Sequence, residues 1–478
     1  MVWMNIYVIV LALLVLGGGV RSSRTKQSVL LAASYLFYGT FGTTFLAMLI
    51  ASSIFNFAMG VWLKRRPTAA RLWIGISVNV GLLSLFKYLP AMNAIHQIAM
   101  PIGMSFWTFQ AMSYLFDIYR AEQLDESLVE FCLYMAFWPT VLMGPVCRLS
   151  YLLPQFRDTS SVQFSDLTEG INRIGLGLFM KLVLAQLLAS GVDAGFIITR
   201  STAESTHHWG GLDVWFLAIG FGFQLFFDFA GYSHISIGAA RLFGFRITEN
   251  FDAPFLATTP SIFWSKWHIS LSSWIRDYVF VPFATVRRQA WWRYFALWLS
   301  MVLFGLWHGS KFTYVIWGAY QGVLLVAHRI GQQLKRKSGF EPGGPIGRGL
   351  SWIATFLTIS LGWIAFRAND LNQTSAMLRA VLSPHTYRNA ALSANYYFTV
   401  LGLACGYFAV VNSPRFFVRV SQGSFSQRII QSRIFEPVQL LWRNAWLWMT
   451  PTIVFLATLW MLTSFTTVDV RPFVYSGF

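Results

Sequence analysis

"QSVLLAASYLFYGTFGTTFLAMLIASSIFNFAMGVWL", residues 27–63, runs its whole length without an Asp, Glu, Lys or Arg. Crossing the ~30 Å hydrocarbon core takes roughly 20 apolar residues in a helix, at about 1.5 Å rise each. The run is long enough for two short spans, and Gly39 and Gly42 predict the turn between them. Outward from it the same signal recurs: residues 1–20, 88–116, 349–366, 389–414 and 444–468 are also free of charge. Across the chain 12% of residues are charged, 55% hydrophobic and 17% aromatic, where a soluble domain carries about a quarter charged. The predicted fold class is all-α, a polytopic integral membrane protein of about eleven or twelve transmembrane or re-entrant helices.

In order, spans are expected at 1–20, twice within 27–63, at 72–90 and at 98–116. The segment 131–156 is broken by Pro139, Gly144 and Pro145 and reads as a re-entrant hairpin that returns Arg148 and Arg157 to the cytoplasmic side. Further spans fall at 174–192, 212–228 and 229–245; a Trp-rich segment 261–280 and a pair within 294–327 follow, then 349–366, 394–413 and 446–468. The polar connections 155–170, 195–209, 328–348, 367–393 and 414–443 are too short for a separate domain, and no internal repeat is visible. The last of them mixes arginines with Phe, Ile and Leu, as an interfacial helix would. One membrane domain over 1–478 is expected, with N-terminal spans 1–130, a motif-bearing core 131–370 and C-terminal spans 371–478. The first run lacks a basic head and a small-residue cleavage pattern, so it reads as a retained span.

The formal charge of +17 does not point to nucleic acid. Its basic residues lie in short loops between apolar segments, "RSSRTK" (21–26), "KRRPTAAR" (64–71), "RRQAWWR" (287–293) and "LKRK" (334–337), which the positive-inside rule places on the cytoplasmic side. Cys132, Cys147 and Cys405 lie in apolar surroundings without paired spacing, so neither a disulfide framework nor a zinc site is indicated.

Polar groups in a bilayer are costly, at roughly 2.5–3.5 kcal/mol for a central charge, and are therefore functional candidates. Three clusters qualify. "FFDFAGYSHISIGAARLFGF" (226–245) holds Asp228, Tyr232, Ser233, His234 and Arg241 among small residues suited to close helix packing, and pairing between helices is the leading reading there. In "FWSKWHISLSSWIRDY" (263–278), His268, Ser272 and Arg276 recur at i, i+4 and i+8, so a continuous helix would put them on one face. Trp264, Trp267 and Trp274 give that segment an interfacial character, so its polar face either meets headgroups or binds an anionic or carbonyl-bearing ligand through Arg276. The third cluster is "GLWHG" (305–309), where His308 follows Trp307 between Gly305 and Gly309. No i, i+4 histidine pair accompanies it, so no metal site is expected. A hydrogen bond to another helix and general-base catalysis both remain open, and the glycines would let a substrate approach the ring.

Taken in order, "FFDFAGYS", "LFGFRITENFDAPFLATTPSIFWSKWHISLSSWIRDYVF" and "GLWHGSKFTYVIWGAYQG" resemble the membrane-bound O-acyltransferases. With "LLAASYLFYG", "LFKYL", "PIGMSFWTFQAMSYLFDIYR" and "GPVCRLSYLLPQF", the bacterial branch of alginate O-acetylation proteins is the most similar. The resemblance covers roughly residues 25–370. It implies helices around a central tunnel, with His308 as the membrane-embedded active-site histidine and His268 as the second characteristic one. Trp307, Gly309, Trp264, Trp267, Ser272, Arg276 and Asp228 become candidates for a substrate or donor channel. His234 departs from the branch, which commonly has Asp after "GYS".

The function so implied is transfer of an acyl group, acetyl above all, from a cytoplasmic thioester such as acetyl-CoA to hydroxyls of an extracytoplasmic polysaccharide. No bound cofactor is expected, the setting is the bacterial inner membrane with its lipid, and the partners are the glycan and an extracytoplasmic SGNH-type acetyltransferase. Peptidoglycan acetylation and D-alanyl transfer to teichoic acid are the near alternatives. A transporter or flippase is the more distant one, weakened by the lack of inverted repeats.

Overall fold

The computed structural model describes residues 22–88, 99–200, 209–338 and 344–422, the last ten of these as backbone alone. No strand forms among them. The charge-free opening run folds as α1 (Ser23–Gly39) and α2 (Thr43–Arg65), and Gly42 makes the turn at φ +147°, a conformation glycine alone adopts easily. There follow α3 (Ala69–Tyr88), α4 (Met104–Tyr119), α5 (Leu128–Ala136) and α6 (Leu149–Arg157), then α7 (Phe164–Ile198) with a π turn at Met180–Leu184. After them come α8 (Gly211–Leu242), α9 (Pro260–Lys266) and α10 (Ile269–Ile275), which continues through a π turn to Ala284. The rest is α11 (Ala290–His308), α12 (Phe312–Ser338), α13 (Pro345–Arg367), α14 (Leu371–Leu382) and α15 (Ala394–Gln422).

Six described helices are long and apolar enough to cross a membrane: α2, α3, α7, α8, α13 and residues Ala394–Asn412 of α15. The predicted spans 1–20 and 446–468, and residues 423–443 of the proposed interfacial helix, lie outside the described residues. In place of the two spans expected at 212–228 and 229–245, Gly211–Leu242 is the single 32-residue helix α8. Its polar middle does not break it because side chains of α7 satisfy it, as the site geometry below shows.

Two compact units divide the chain. The first holds 1–174, 232–250 and 267–300; the second holds 175–231, 251–266 and 301–478. In the first, α4 is the centre, with every residue from Met104 to Ile118 buried. Glycines bring its neighbours close: a Cβ at Gly60 would meet the Tyr114 ring at 2.5 Å, and one at Gly75 would meet Leu115 at 2.6 Å. The paired amides of Asn56 and Asn79 tie α2 to α3, the Asn79 Nδ2 donating at 2.7 Å. Segment 131–156 is a helical hairpin, α5 turning into α6. Arg157 at its far end donates to Glu130 at 2.7 Å and to Asp125 at 2.9 Å, back at the hairpin's start.

In the second unit the aromatic side chains of α8, α11, α12 and α13 form the core, with Trp317 and Trp363 fully buried and stacked 6.2 Å apart. Arg367 closes the end of α13 by donating to Asp193 at 2.7 Å.

Candidate functional site

The two histidines fall in different units and each has its own setting. His308 is the last residue of α11, 1% exposed, in the second unit. Aromatic rings enclose it: Phe304 and Phe366 at 4.9 Å between centroids, Trp307 at 4.8 Å, Trp317 at 5.2 Å and Tyr314 at 6.2 Å. Trp264 packs on the outside of this box, against Phe304 at 5.5 Å and Trp317 at 5.8 Å. The structure therefore gathers His308, Trp307, Gly309 and Trp264, and adds Phe304, Tyr314, Trp317 and Phe366, which read in the sequence as ordinary apolar lining.

The glycines of "GLWHG" bring the start of α12 close to the end of α11. A Cβ at Gly305 would lie 2.2 Å from the Tyr314 carbonyl oxygen, and one at Gly309 would lie 2.9 Å from the Tyr314 ring. Across the same contact, a Cβ at Gly318 would lie 2.3 Å from the Met301 carbonyl oxygen. The backbones of α11 and α12 touch there, and this fixes Trp317 beside His308.

His268 lies in the first unit and does not sit inside a helix. α9 ends at Lys266, His268 takes φ +45° in the left-handed region, and α10 starts at Ile269. The expected single face of His268, Ser272 and Arg276 is thus absent, because the helix that would create it is broken at the first of the three. Such a backbone costs about 1–3 kcal/mol in a non-glycine residue and needs surrounding support. Asn250 supplies it. Its backbone carbonyl accepts from Ile269 N–H at 2.9 Å, and its Oδ1 accepts from the Ser270 hydroxyl at 2.6 Å and backbone N–H at 3.2 Å.

That arrangement also sets the imidazole. Asn250 donates through Nδ2 to Ser233 at 3.1 Å, so its Oδ1, 3.3 Å from His268 Nδ1, is an acceptor. The proton therefore belongs on Nδ1, and Nε2 is the basic nitrogen of the buried ring. Val146 N–H donates to the Ser270 hydroxyl at 3.0 Å, completing the chain of donors. Nothing in the sequence marks Asn250, which stands between Glu249 and Phe251 like any loop amide.

The other candidates have local partners. Ser272 donates to the Trp267 carbonyl at 2.9 Å, holding the loop before α10. Arg276 is exposed and donates to Asp277 at 2.7 Å. Asp277 also pairs with Arg148, while Arg120 donates to its backbone carbonyl at 2.6 Å. Arg120 and Arg148, with Asp277, line an open cavity of about 360 Å³; Arg276 is not among its lining residues. In the second unit, Asp228 accepts from Lys181, which the π turn of α7 presents to it. In the first, His234 Nδ1 accepts from Arg173 at 3.0 Å, a guanidinium that also grips Glu249. Helix pairing thus accounts for this cluster, as the sequence suggested.

The description "membrane-bound O-acyltransferase family" fits residues 92–366, more than half of the chain. Similar curated proteins include a probable alginate O-acetylase of Pseudomonas aeruginosa, 33% identical over 77% of this chain and 72% of its own. A peptidoglycan O-acetyltransferase of Helicobacter pylori is 29% identical over 74% of this chain and 73% of its own. A teichoic acid D-alanyltransferase of Streptococcus thermophilus is 28% identical over 60% and 74%.

Proposed function

The chain belongs to the membrane-bound O-acyltransferase family and is a multi-pass membrane O-acyltransferase, and we propose that it moves an acetyl group from acetyl-CoA toward hydroxyls of an extracytoplasmic polysaccharide. The enclosure of His308 carries this reading: a titratable ring, 1% exposed, at the end of α11 inside a box of aromatic side chains. One ring nitrogen takes the proton of the acceptor hydroxyl as its oxygen attacks the thioester carbonyl carbon. The tetrahedral adduct breaks its C–S bond, and the imidazolium returns the proton to the departing thiolate. The aromatic box excludes water, and the carbonyl end of α11 stabilises the positive charge that develops on the ring. The setting is a bacterial inner membrane, with the basic loops on the donor side.

The names of the relatives support a glycan acceptor of this kind, alginate in one and peptidoglycan in another. His308→Ala in purified protein, given labelled acetyl-CoA and a panel of alginate, peptidoglycan and teichoic acid, should lose transfer by at least about a hundredfold, the scale of a general base. Transfer at the wild-type rate in a folded variant removes His308 from the chemistry.

A further inference from the structure

α12 carries Thr313, Trp317 and Gln321 at i, i+4 and i+8, which makes them one stripe of the helix. They are 2%, 1% and 0% exposed. Among the described residues no protein group bonds Thr313 Oγ1, Trp317 Nε1, or either the oxygen or the nitrogen of the Gln321 amide. Buried polar groups are normally bonded, and four orphaned atoms on one stripe mark a surface that faces a ligand. Beside the stripe, the hydroxyl of Tyr320 donates to the Thr358 carbonyl at 2.8 Å, while the indole nitrogen of Trp264, packed on Trp317, is likewise unbonded among the described residues. The opposing helix makes room for the amide. A Cβ at Gly362 would lie 2.4 Å from Gln321 Nε2.

The middle of the stripe, Trp317, touches the His308 ring. Gln321 lies one turn further along, about 6 Å at 1.5 Å per residue. It lies toward the end of α12 that carries Lys335, Arg336 and Lys337, the cytoplasmic end by charge. A primary amide that lacks both its donor and its acceptor partner is complementary to another amide. In an acyl-pantetheine thioester, the first amide nitrogen is four bonds from the thioester carbon, about 5 Å in an extended chain. A donor entering from the cytoplasmic side with its carbonyl at His308 brings that amide to Gln321.

We infer that Gln321 binds the first amide of the donor's pantetheine arm and thereby selects pantetheine thioesters over other acyl thioesters. The inference rests on the acyl-thioester reading above. Its test compares two acetyl donors of equal length, the N-acetylcysteamine thioester, which has the amide, and S-pentyl thioacetate, which lacks it. Thiol release by purified full-length protein, with the glycan that accepts from acetyl-CoA, gives kcat/KM for each. The wild type should prefer the amide-bearing donor by about tenfold or more, the scale of a lost hydrogen-bond pair. Gln321→Met should erase the preference by slowing that donor alone, and Gly362→Ala, which pushes on the amide from the other helix, should do the same. Equal use of both donors by the wild type overturns the inference without any variant. So does a variant that folds and slows both donors alike, as a purely structural residue would. A wild type that takes acetyl from no thioester, acetyl-CoA included, fails the proposed function itself, a separable outcome.

Discussion

α12 offers a test of the helix contact that holds the His308 box, because two of its glycines should respond in opposite directions to the same change. Gly318→Ala adds a methyl whose carbon would lie 2.3 Å from the Met301 carbonyl oxygen and 3.1 Å from Gly305 Cα. Ordinary carbon–oxygen contact is about 3.3 Å or more, so α11 and α12 must part by about 1 Å. Neither obstacle is the free end of a side chain; both are backbone. Overpacking of this kind costs about 1–3 kcal/mol. It also moves Trp317, the adjacent residue, away from His308, and a 1 Å misplacement of catalytic geometry is worth about a hundredfold in rate. Gly331→Ala is the control. Nothing lies within 4 Å of a Cβ there, and replacing an unconstrained helical glycine by alanine should stabilise by about 0.5–1 kcal/mol with no effect on rate. Equilibrium unfolding in mixed micelles and acetyl transfer, measured on both variants beside the wild type, read the two effects separately. If Gly318→Ala keeps full stability and full rate, the close approach of α11 and α12 does not support the site and the reasoning fails.

Asp228→Asn should destabilise the protein by about 3 kcal/mol, since it leaves the Lys181 ammonium without its buried carboxylate, whereas the double change Lys181→Met, Asp228→Leu should recover most of that loss; micellar unfolding of single and double variants checks it, and additive losses would disprove the pairing. Asn250→Leu removes the acceptor for Ser270 and His268 and the donor to Ser233, at about 1 kcal/mol each. The same unfolding measurement should therefore read a loss of about 3 kcal/mol for Asn250→Leu, and wild-type stability in that variant would refute the role of these bonds.

What the sequence made legible was set by length and charge. The run 27–63 had to be two helices because a charge-free chain of that extent has no other arrangement in a bilayer, and Gly39 and Gly42 marked where it turns. The segment 131–156 had to double back because its prolines and glycine prevent one helix from continuing, and Arg157 does return to Glu130 and Asp125. By contrast, the two spans expected at 212–228 and 229–245 are one helix, and its polar residues do not end it because a neighbour satisfies them. Lys181 and Arg173, distant in sequence, supply those partners. Such compensation cannot be read from the segment that needs it.

The break at His268 was hidden for a related reason. Nothing between Trp264 and Arg276 is a helix breaker, and the i, i+4, i+8 spacing is that of an uninterrupted helix. The left-handed turn exists because Asn250, outside the segment, offers Oδ1 to the first turn of α10 and its own carbonyl to Ile269. Both histidines consequently sit where a helix starts or stops. Mid-helix, a ring shares the side of its cylinder with the residues three and four away, and its direction follows theirs. At a terminus the backbone turn aims the ring, and for each histidine the residues that fix that turn lie elsewhere in its own unit: Asn250 for His268, and Tyr314 with Gly318 for His308. Periodicity therefore recovers the helices that form each unit's core but not the direction of either imidazole.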